Sequence, residues 1–173
     1  MIAAQEGLGD EAIHNFKQSL ELRPTYTTAL LNLGNLYRRQ GDFGKAEENL
    51  GHALELEPDD PEVLYSLGML NAQQEKMTAA AEYLRKAIAL RPDYPEALNN
   101  LGVLFVRQKD YAEAEEQFKT CIRAVPGFDQ SYLNLARVYV IQGDKAKARA
   151  ALEDLLRLQP ENPTAKQAIE ILK

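Results

Sequence analysis

Apolar residues recur along the chain in two alternating groups, and both groups have helical spacing. In a frame that begins at Thr27, apolar residues occupy positions 4, 7 and 11 and then positions 20, 24, 27 and 28. Side chains three or four residues apart lie on one face of an α-helix. The frame recurs every 34 residues as far as residue 162. The pattern therefore predicts two amphipathic helices in each frame and an all-α protein.

Three positions of the frame are occupied almost without exception by small residues or by proline. These are position 8 (Gly34, Gly68, Gly102 and Ala136), position 20 (Ala46, Ala80, Ala114 and Ala148) and position 32 (Pro58, Pro92, Pro126 and Pro160). Small side chains allow two helix backbones to approach closely, and proline ends a helix because it cannot donate the ladder hydrogen bond. A fixed period of this length indicates one repeated supersecondary unit, so we predict a series of antiparallel helix hairpins.

Residues suited to helix ends stand at the expected helix boundaries. Aspartate or asparagine precedes the expected helix starts at Asp42, Asp60, Asp110, Asp144 and Asn162. Such side chains cap the first free N–H groups of a helix. Asp110 with Glu113 has the spacing of an acidic capping box. Gly41 and Gly143, at position 15, suit a left-handed residue that ends the first helix of a hairpin.

With these features the chain resembles a tetratricopeptide repeat protein. The segments that carry the resemblance are LLNLGNLYRRQGDFGKAEENLGHALELEP and ALNNLGVLFVRQKDYAEAEEQFKTCIRAVP. The family's usual tryptophan at position 4 is replaced here by Leu30, Leu64, Leu98 and Tyr132. The resemblance predicts a partial first repeat at 1–26 (mainly its second helix), full repeats at 27–60, 61–94, 95–128 and 129–162, and a capping helix at 163–173.

The resemblance implies a right-handed superhelical solenoid in which the first helices line a concave groove. The repeat indicates one elongated array, although the length alone would allow one or two compact domains. Since 1–26 holds little of a first helix, we expect the chain to be cut from a longer protein. The apolar side of its second helix, around Ala12 and Phe16, could then pair with another copy, which makes a homo-oligomer a further prediction.

Composition and charge exclude several classes of function. The formal net charge of −6 disfavours nucleic acid, which needs a basic surface. No apolar run approaches the roughly 20 residues that cross a membrane. The start, Met-Ile-Ala-Ala-Gln-Glu, has no visible signal peptide, and we expect a cytoplasmic protein.

No residue pattern points to catalysis, a cofactor or a metal. The single cysteine, Cys121, occupies a small apolar position of the frame and is expected to pack in the core. His14 and His52 lack partners at metal-ligand spacing. The carboxylates follow surface and capping positions, and none forms a pair suited to acid–base work. We therefore predict that these residues do not form an enzyme.

The resemblance also implies which side chains point into the groove, namely those at positions 2, 5, 6, 9, 12 and 13. From these we select the following candidate peptide-binding residues: Asn32, Asn35, Arg39, Tyr65, Met69, Asn99, Asn100, Arg107, Asn134 and Arg137. The family's clamp for the C-terminal carboxylate of heat-shock chaperones is not expected, because position 5 holds no lysine.

Asparagine recurs at position 6, as Asn32, Asn100 and Asn134, with Ser66 in the remaining repeat. A carboxamide both donates and accepts, so a row of them could hold the backbone of an extended peptide. The other interpretation is a general preference of the family for asparagine here. Three hydrogen bonds give about 3 kcal/mol, less than the ~4–15 kcal/mol cost of association. Anchors such as Tyr65 are therefore needed.

We predict a non-catalytic protein-interaction module that binds an extended peptide or partner segment in the groove, without a cofactor. Two alternatives remain open from the sequence. The array could be a structural or self-assembly spacer whose ends bind other copies. It could also be the substrate-recruiting arm of a larger enzyme such as a glycosyltransferase.

Overall fold

The computed structural model describes the backbone of residues 2–172 and the side chains of residues 9–172. Over this range the chain forms ten α-helices and no strand. It divides into two compact units, Met1–Leu90 and Arg91–Lys173. The all-α class predicted from the sequence is confirmed.

The first unit consists of five helices. They are α1 (Ile2–Leu22), α2 (Thr27–Gln40), α3 (Phe43–Leu56), α4 (Pro61–Gln73) and α5 (Met77–Leu90). α2 packs on α3 and α4 packs on α5, each pair joined by a short turn. α4 also contacts both α2 and α3, so the second hairpin stacks on the first.

The second unit repeats this arrangement. Its helices are α6 (Pro95–Arg107), α7 (Tyr111–Ala124), α8 (Asp129–Ile141), α9 (Lys145–Leu158) and α10 (Pro163–Ile171). α6 pairs with α7 and α8 with α9, while α8 contacts both helices of the preceding hairpin. α10 packs on α9. The hairpins expected from the repeat are therefore present in both units.

The close approach predicted within each hairpin is confirmed. All four alanines at position 20 have no exposed surface. A Cβ atom added to Gly34 would lie 2.7 Å from Cγ of Leu50, and one added to Gly102 would lie 2.6 Å from Cε1 of Phe118. Because real Cβ contacts are not this short, glycine at these two positions is what allows Leu50 and Phe118 to enter the core.

Most of the predicted helix caps form. Side-chain oxygens of Asp42, Asp60, Asp144 and Asn162 accept hydrogen bonds from backbone N–H groups of the first helical turn. The predicted capping box at Asp110 is wrong, because its side chain makes no cap bond. Instead a hydrogen bond with Asp110 raises the pKa of Glu113. Glu113 therefore interacts with the Asp110 carboxyl group instead of completing a cap.

The turn inside each hairpin uses a left-handed residue at position 15, whatever its type. Gly41 and Gly143 both have φ 81°, as the sequence predicted. Glu75 and Lys109 occupy the same position with φ 62° and 63°. A residue with a Cβ atom is strained in this conformation.

We expect Lys109→Gly to raise the free energy of unfolding by about 0.5–1 kcal/mol, because glycine removes the strain at positive φ. Urea denaturation followed by circular dichroism measures this change. Lys86→Gly, at an exposed position inside α5, should instead lower stability by about 1 kcal/mol. Equal losses in both variants would contradict the interpretation of the turn.

The N-terminal segment forms one helix that is longer than the second helices of the other repeats. The segment predicted to be mainly a second helix is longer than such a helix, because α1 (Ile2–Leu22) continues through Gly7, the counterpart of Gly41 in the frame. The neighbouring alanine, glutamine, glutamate and leucine residues favour helix, and one glycine is tolerated inside it. Phe16 is half-buried against the core of the first unit, and Ala12 is also half-buried.

Candidate functional site

In the first unit, the predicted groove residues lie on α2 and α4. We call the surface of these helices that points away from α3 and α5 the inner face of the first unit. Gly34 faces α3, and Asn32, two residues earlier, lies about 200° around the helix axis. Asn32 and Arg39 are exposed, whereas Asn35, Tyr65 and Met69 are half-buried, the last two on α4.

Asn35 is already bound within the protein. Its Nδ2 donates to Oγ of Ser66 at 2.9 Å, and its Oδ1 accepts from Nε of Arg38 at 3.3 Å. Ser66 is only 3% exposed, so this bond joins α2 to α4 below the surface. Both the nitrogen and the oxygen of the Asn35 carboxamide are thus hydrogen-bonded within the protein. The bond between Asn35 and Arg38 orients the arginine side chain.

Arg38 was not selected from the sequence, although position 12 belongs to the inward-pointing set. Its Nη1 donates to Oε1 of Gln73 on α4 at 3.1 Å. Burial lowers the pKa of Arg38. Among residues 9–172 it has no carboxylate partner, because its hydrogen bonds go to the amides of Asn35 and Gln73. The only feature of the sequence that could have identified Arg38 is that position 12 holds an arginine in this repeat and in no other.

In the second unit, the remaining candidates lie on α6 and α8. The inner face of the second unit is defined in the same way, as the surface of α6 and α8 away from α7 and α9. Arg107 and Arg137 are exposed there, and Asn100 and Asn134 are half-buried. The structure corrects the prediction for Asn99, which is 5% exposed and cannot contact a ligand on this face.

Asn99 instead holds Asn134 in place. Its Oδ1 accepts from Nδ2 of Asn134 at 2.9 Å and from Oγ of Ser131 at 3.3 Å. Ser131 is fully buried. Because Nδ2 of Asn134 points to the protein, its Oδ1 is the atom left to accept a hydrogen bond from a ligand. Of these two residues predicted as ligand contacts, Asn134 therefore keeps an acceptor atom on the inner face, and Asn99 supports it from below.

A second type of surface, not predicted from the sequence, lies between successive second helices. In the first unit, one cleft of about 520 Å³ lies between α1 and α3 over Tyr37, and another of about 530 Å³ lies between α3 and α5 over Leu64. In the second unit, a cleft of about 300 Å³ lies between α7 and α9 over Tyr132 and Tyr139. The floor of each cleft is formed by residues of the first helix of a hairpin (α2, α4 or α8), on the side of that helix opposite the inner face.

The cleft over Tyr139 contains a charged network. Oε1 of Glu115 accepts from Nζ of Lys119 at 2.6 Å and from the Tyr139 hydroxyl at 3.0 Å. The bond from Lys119 lowers the pKa of Glu115, and burial raises that of Tyr139. Nζ of Lys147 lies 5.6 Å from the centroid of the Tyr139 ring. Lys119 neutralises Glu115, and Asp144, 3.2 Å from Nζ of Lys147, neutralises Lys147. The network therefore ties α7 to α8 and leaves no unpaired charge among these groups.

The single cysteine lies in the core, as the sequence predicted. Cys121 is fully buried, its Sγ lies 3.6 Å from the carbonyl oxygen of Pro95, and burial raises the pKa of its thiol. Within the described residues there is no group of three or more potential metal ligands. No helix in that same range is both long and apolar enough to cross a membrane.

Comparison with known sequences gives a consistent assignment. Profiles described as tetratricopeptide repeat match residues 31–95 and 78–127, residues 105–172 and residues 1–59. No curated protein sequence matches the chain.

Several solved structures have a similar fold. The crystal structure of MamA is 27% identical, with a TM-score of 0.78 over 93% of this chain and 94% of that one. PilF of Pseudomonas aeruginosa is 26% identical, with a TM-score of 0.74 over 84% of this chain and 67% of that one. YrrB, described as a TPR protein with an unusual peptide-binding site, is 23% identical, with a TM-score of 0.71 over 98% and 87% of the two chains. At that identity, the likeness to YrrB concerns the fold alone.

Proposed function

The chain belongs to the tetratricopeptide repeat family, and we propose that it is a non-catalytic module that binds an extended protein segment on the inner faces of its units. The observation that carries the proposal is the fixed carboxamide of Asn134, whose donor group is held by buried Asn99. An acceptor oriented in this way costs less conformational entropy when it binds a peptide N–H group.

Other side chains on the inner face of each unit supply the further kinds of contact that a peptide needs. Asn100 on α6 is the counterpart of Asn134 on α8, since both occupy position 6 of the frame. Arg107 and Arg137 add exposed positive charge. In the first unit, half-buried Tyr65 and Met69 offer apolar surface for an anchoring side chain. Polar backbone contacts together with apolar anchors are typical of peptide-binding surfaces.

We expect the double variant Asn100→Ala and Asn134→Ala to weaken peptide binding by about 2 kcal/mol, or roughly thirtyfold, because two hydrogen bonds are lost. A peptide selected on the immobilised chain and titrated calorimetrically measures this change. Asn49→Ala is the matched control, because Asn49 lies on α3 in the cleft over Tyr37. Unchanged affinity in the double variant would exclude the inner face of the second unit. A loss in Asn49→Ala alone would place the peptide in the cleft.

A further inference from the structure

We propose that the first unit contains a carboxylate-binding site centred on Arg38, where α2 meets α4. The site deepens the proposed function, because it names the chemistry of one ligand group on the inner face of the first unit. It takes a single carboxylate from a peptide, either an acidic side chain or a free C-terminus.

The guanidinium group of Arg38 is oriented by two hydrogen bonds, and no side chain among residues 9–172 neutralises its charge. Its Nε donates to Oδ1 of Asn35 at 3.3 Å and its Nη1 to Oε1 of Gln73 at 3.1 Å. Both acceptors are uncharged amides, so the positive charge of Arg38 is not balanced by either of them. The two bonds use two of its five N–H groups. Three donors remain for a ligand.

This arrangement differs from that of the paired basic side chains in the same chain. Ion pairs with aspartate or glutamate are made by Lys45, Lys119, Arg123, Lys147, Arg157 and Lys166. Arg38, by contrast, forms no ion pair with any described residue, and it is half-buried. A partly dehydrated charge interacts more strongly with an anion than a fully hydrated one does. Arg38 is therefore better suited to bind an anion than the exposed Arg39 beside it.

The support for Arg38 extends into the core. Asn35, which accepts from Nε, itself donates to the buried hydroxyl of Ser66 at 2.9 Å. Ser66, Asn35, Arg38 and Gln73 thus form a hydrogen-bonded chain across α2 and α4. Such a chain fixes the plane of the guanidinium group before a ligand arrives. A planar, fixed guanidinium matches the two oxygens of a carboxylate.

The second unit provides an internal comparison. Position 12 of α6 is Val106, where α2 has Arg38, and position 9 is Val103, where α2 has Asn35. Position 13 of α8 is Ile141, which is 46% exposed, where α4 has Gln73. Arg38 and both of its amide partners are thus replaced by apolar residues, so the proposed carboxylate site belongs to the first unit.

The direct test is a titration of the intact chain with sodium acetate, monitored by the ¹⁵N–¹H resonances of the arginine Nε–H groups. The Arg38 resonance is the one that disappears in Arg38→Lys, a variant that keeps the charge and loses the planar fork. We expect this resonance to shift with acetate until it saturates, and to stay in place with equal sodium chloride. Asn35→Ala should weaken the acetate affinity about fivefold, the equivalent of one hydrogen bond. Arg23→Gln, which removes an exposed arginine just after α1, is the matched control and should leave it unchanged.

Three peptides then identify the source of the carboxylate. They are GSDSG with both ends blocked, GSNSG with both ends blocked, and GSNSG with a free C-terminus. If the first peptide binds more tightly than the second, the site takes an acidic side chain. If the third binds more tightly than the second, it takes a C-terminus. In either case the affinity of the preferred peptide should fall about tenfold in Arg38→Lys. A chloride response equal to the acetate response would overturn the proposal, as would a peptide preference that survives Arg38→Lys. The double variant Asn100→Ala and Asn134→Ala should bind acetate as the unmodified chain does. Its acetate affinity therefore tests the Arg38 site independently of peptide binding on the second unit.

Discussion

Phe118→Ala is expected to lower the free energy of unfolding by about 3–5 kcal/mol, the largest loss for any single substitution in the second unit. Phe118 has no exposed surface and is the largest of the fully buried side chains. Its ring fills the space that Gly102 leaves on α6. Truncation removes apolar surface from the core and leaves a cavity, because the helices cannot close over a missing ring.

Equilibrium denaturation in urea, followed by far-ultraviolet circular dichroism, measures the loss at Phe118. Ile171→Ala is the control, since Ile171 is 75% exposed at the end of α10 and should change stability by no more than about 0.5 kcal/mol. A loss at Phe118 below about 1 kcal/mol would contradict a packed crossing of α6 and α7, since a cavity of this size costs more.

The helix hairpins and their contacts could be predicted because each follows from residues close in sequence. The spacing of Gly102 and Phe118 is the same in every repeat, and a small residue opposite a large one has one simple packing solution. The left-handed residue at position 15 was recognised at Gly41 and Gly143 but not at Glu75 or Lys109. At those two sites the turn is imposed by the hairpin and overrides the preference of the residue.

The candidate site was less predictable, because its side chains are positioned by the neighbouring repeat. Position 5 was assigned to the groove, yet Asn99 is buried like Leu31 at the same position, since this side of the first helix faces the next first helix. Arg38 was missed because its orientation depends on Gln73, which is 35 residues away in the sequence. The clefts over Tyr37 and Tyr139 depend on the separation of successive hairpins, which no single repeat specifies.

Gly102→Ala is expected to destabilise the chain by about 1–3 kcal/mol, although alanine favours helix more than glycine does. The added Cβ would lie 2.6 Å from Cε1 of Phe118 and 2.9 Å from its Cζ. A rigid aromatic ring cannot move aside without displacing its neighbours. Denaturation in urea measures the loss. Gly51→Ala in α3, where an added Cβ meets nothing within 4 Å, should instead be stabilising by about 0.5–1 kcal/mol.

A second substitution should relieve part of this loss. The next hairpin of the second unit already combines Ala136 at position 8 with Leu152 at position 24, and both are buried. Gly102→Ala with Phe118→Leu reproduces that pair, and we expect it to be more stable than the sum of the single variants predicts by about 1 kcal/mol or more. Strictly additive losses would mean that the two side chains do not meet. A favourable coupling would show that the ring at position 24 is what requires glycine at position 8.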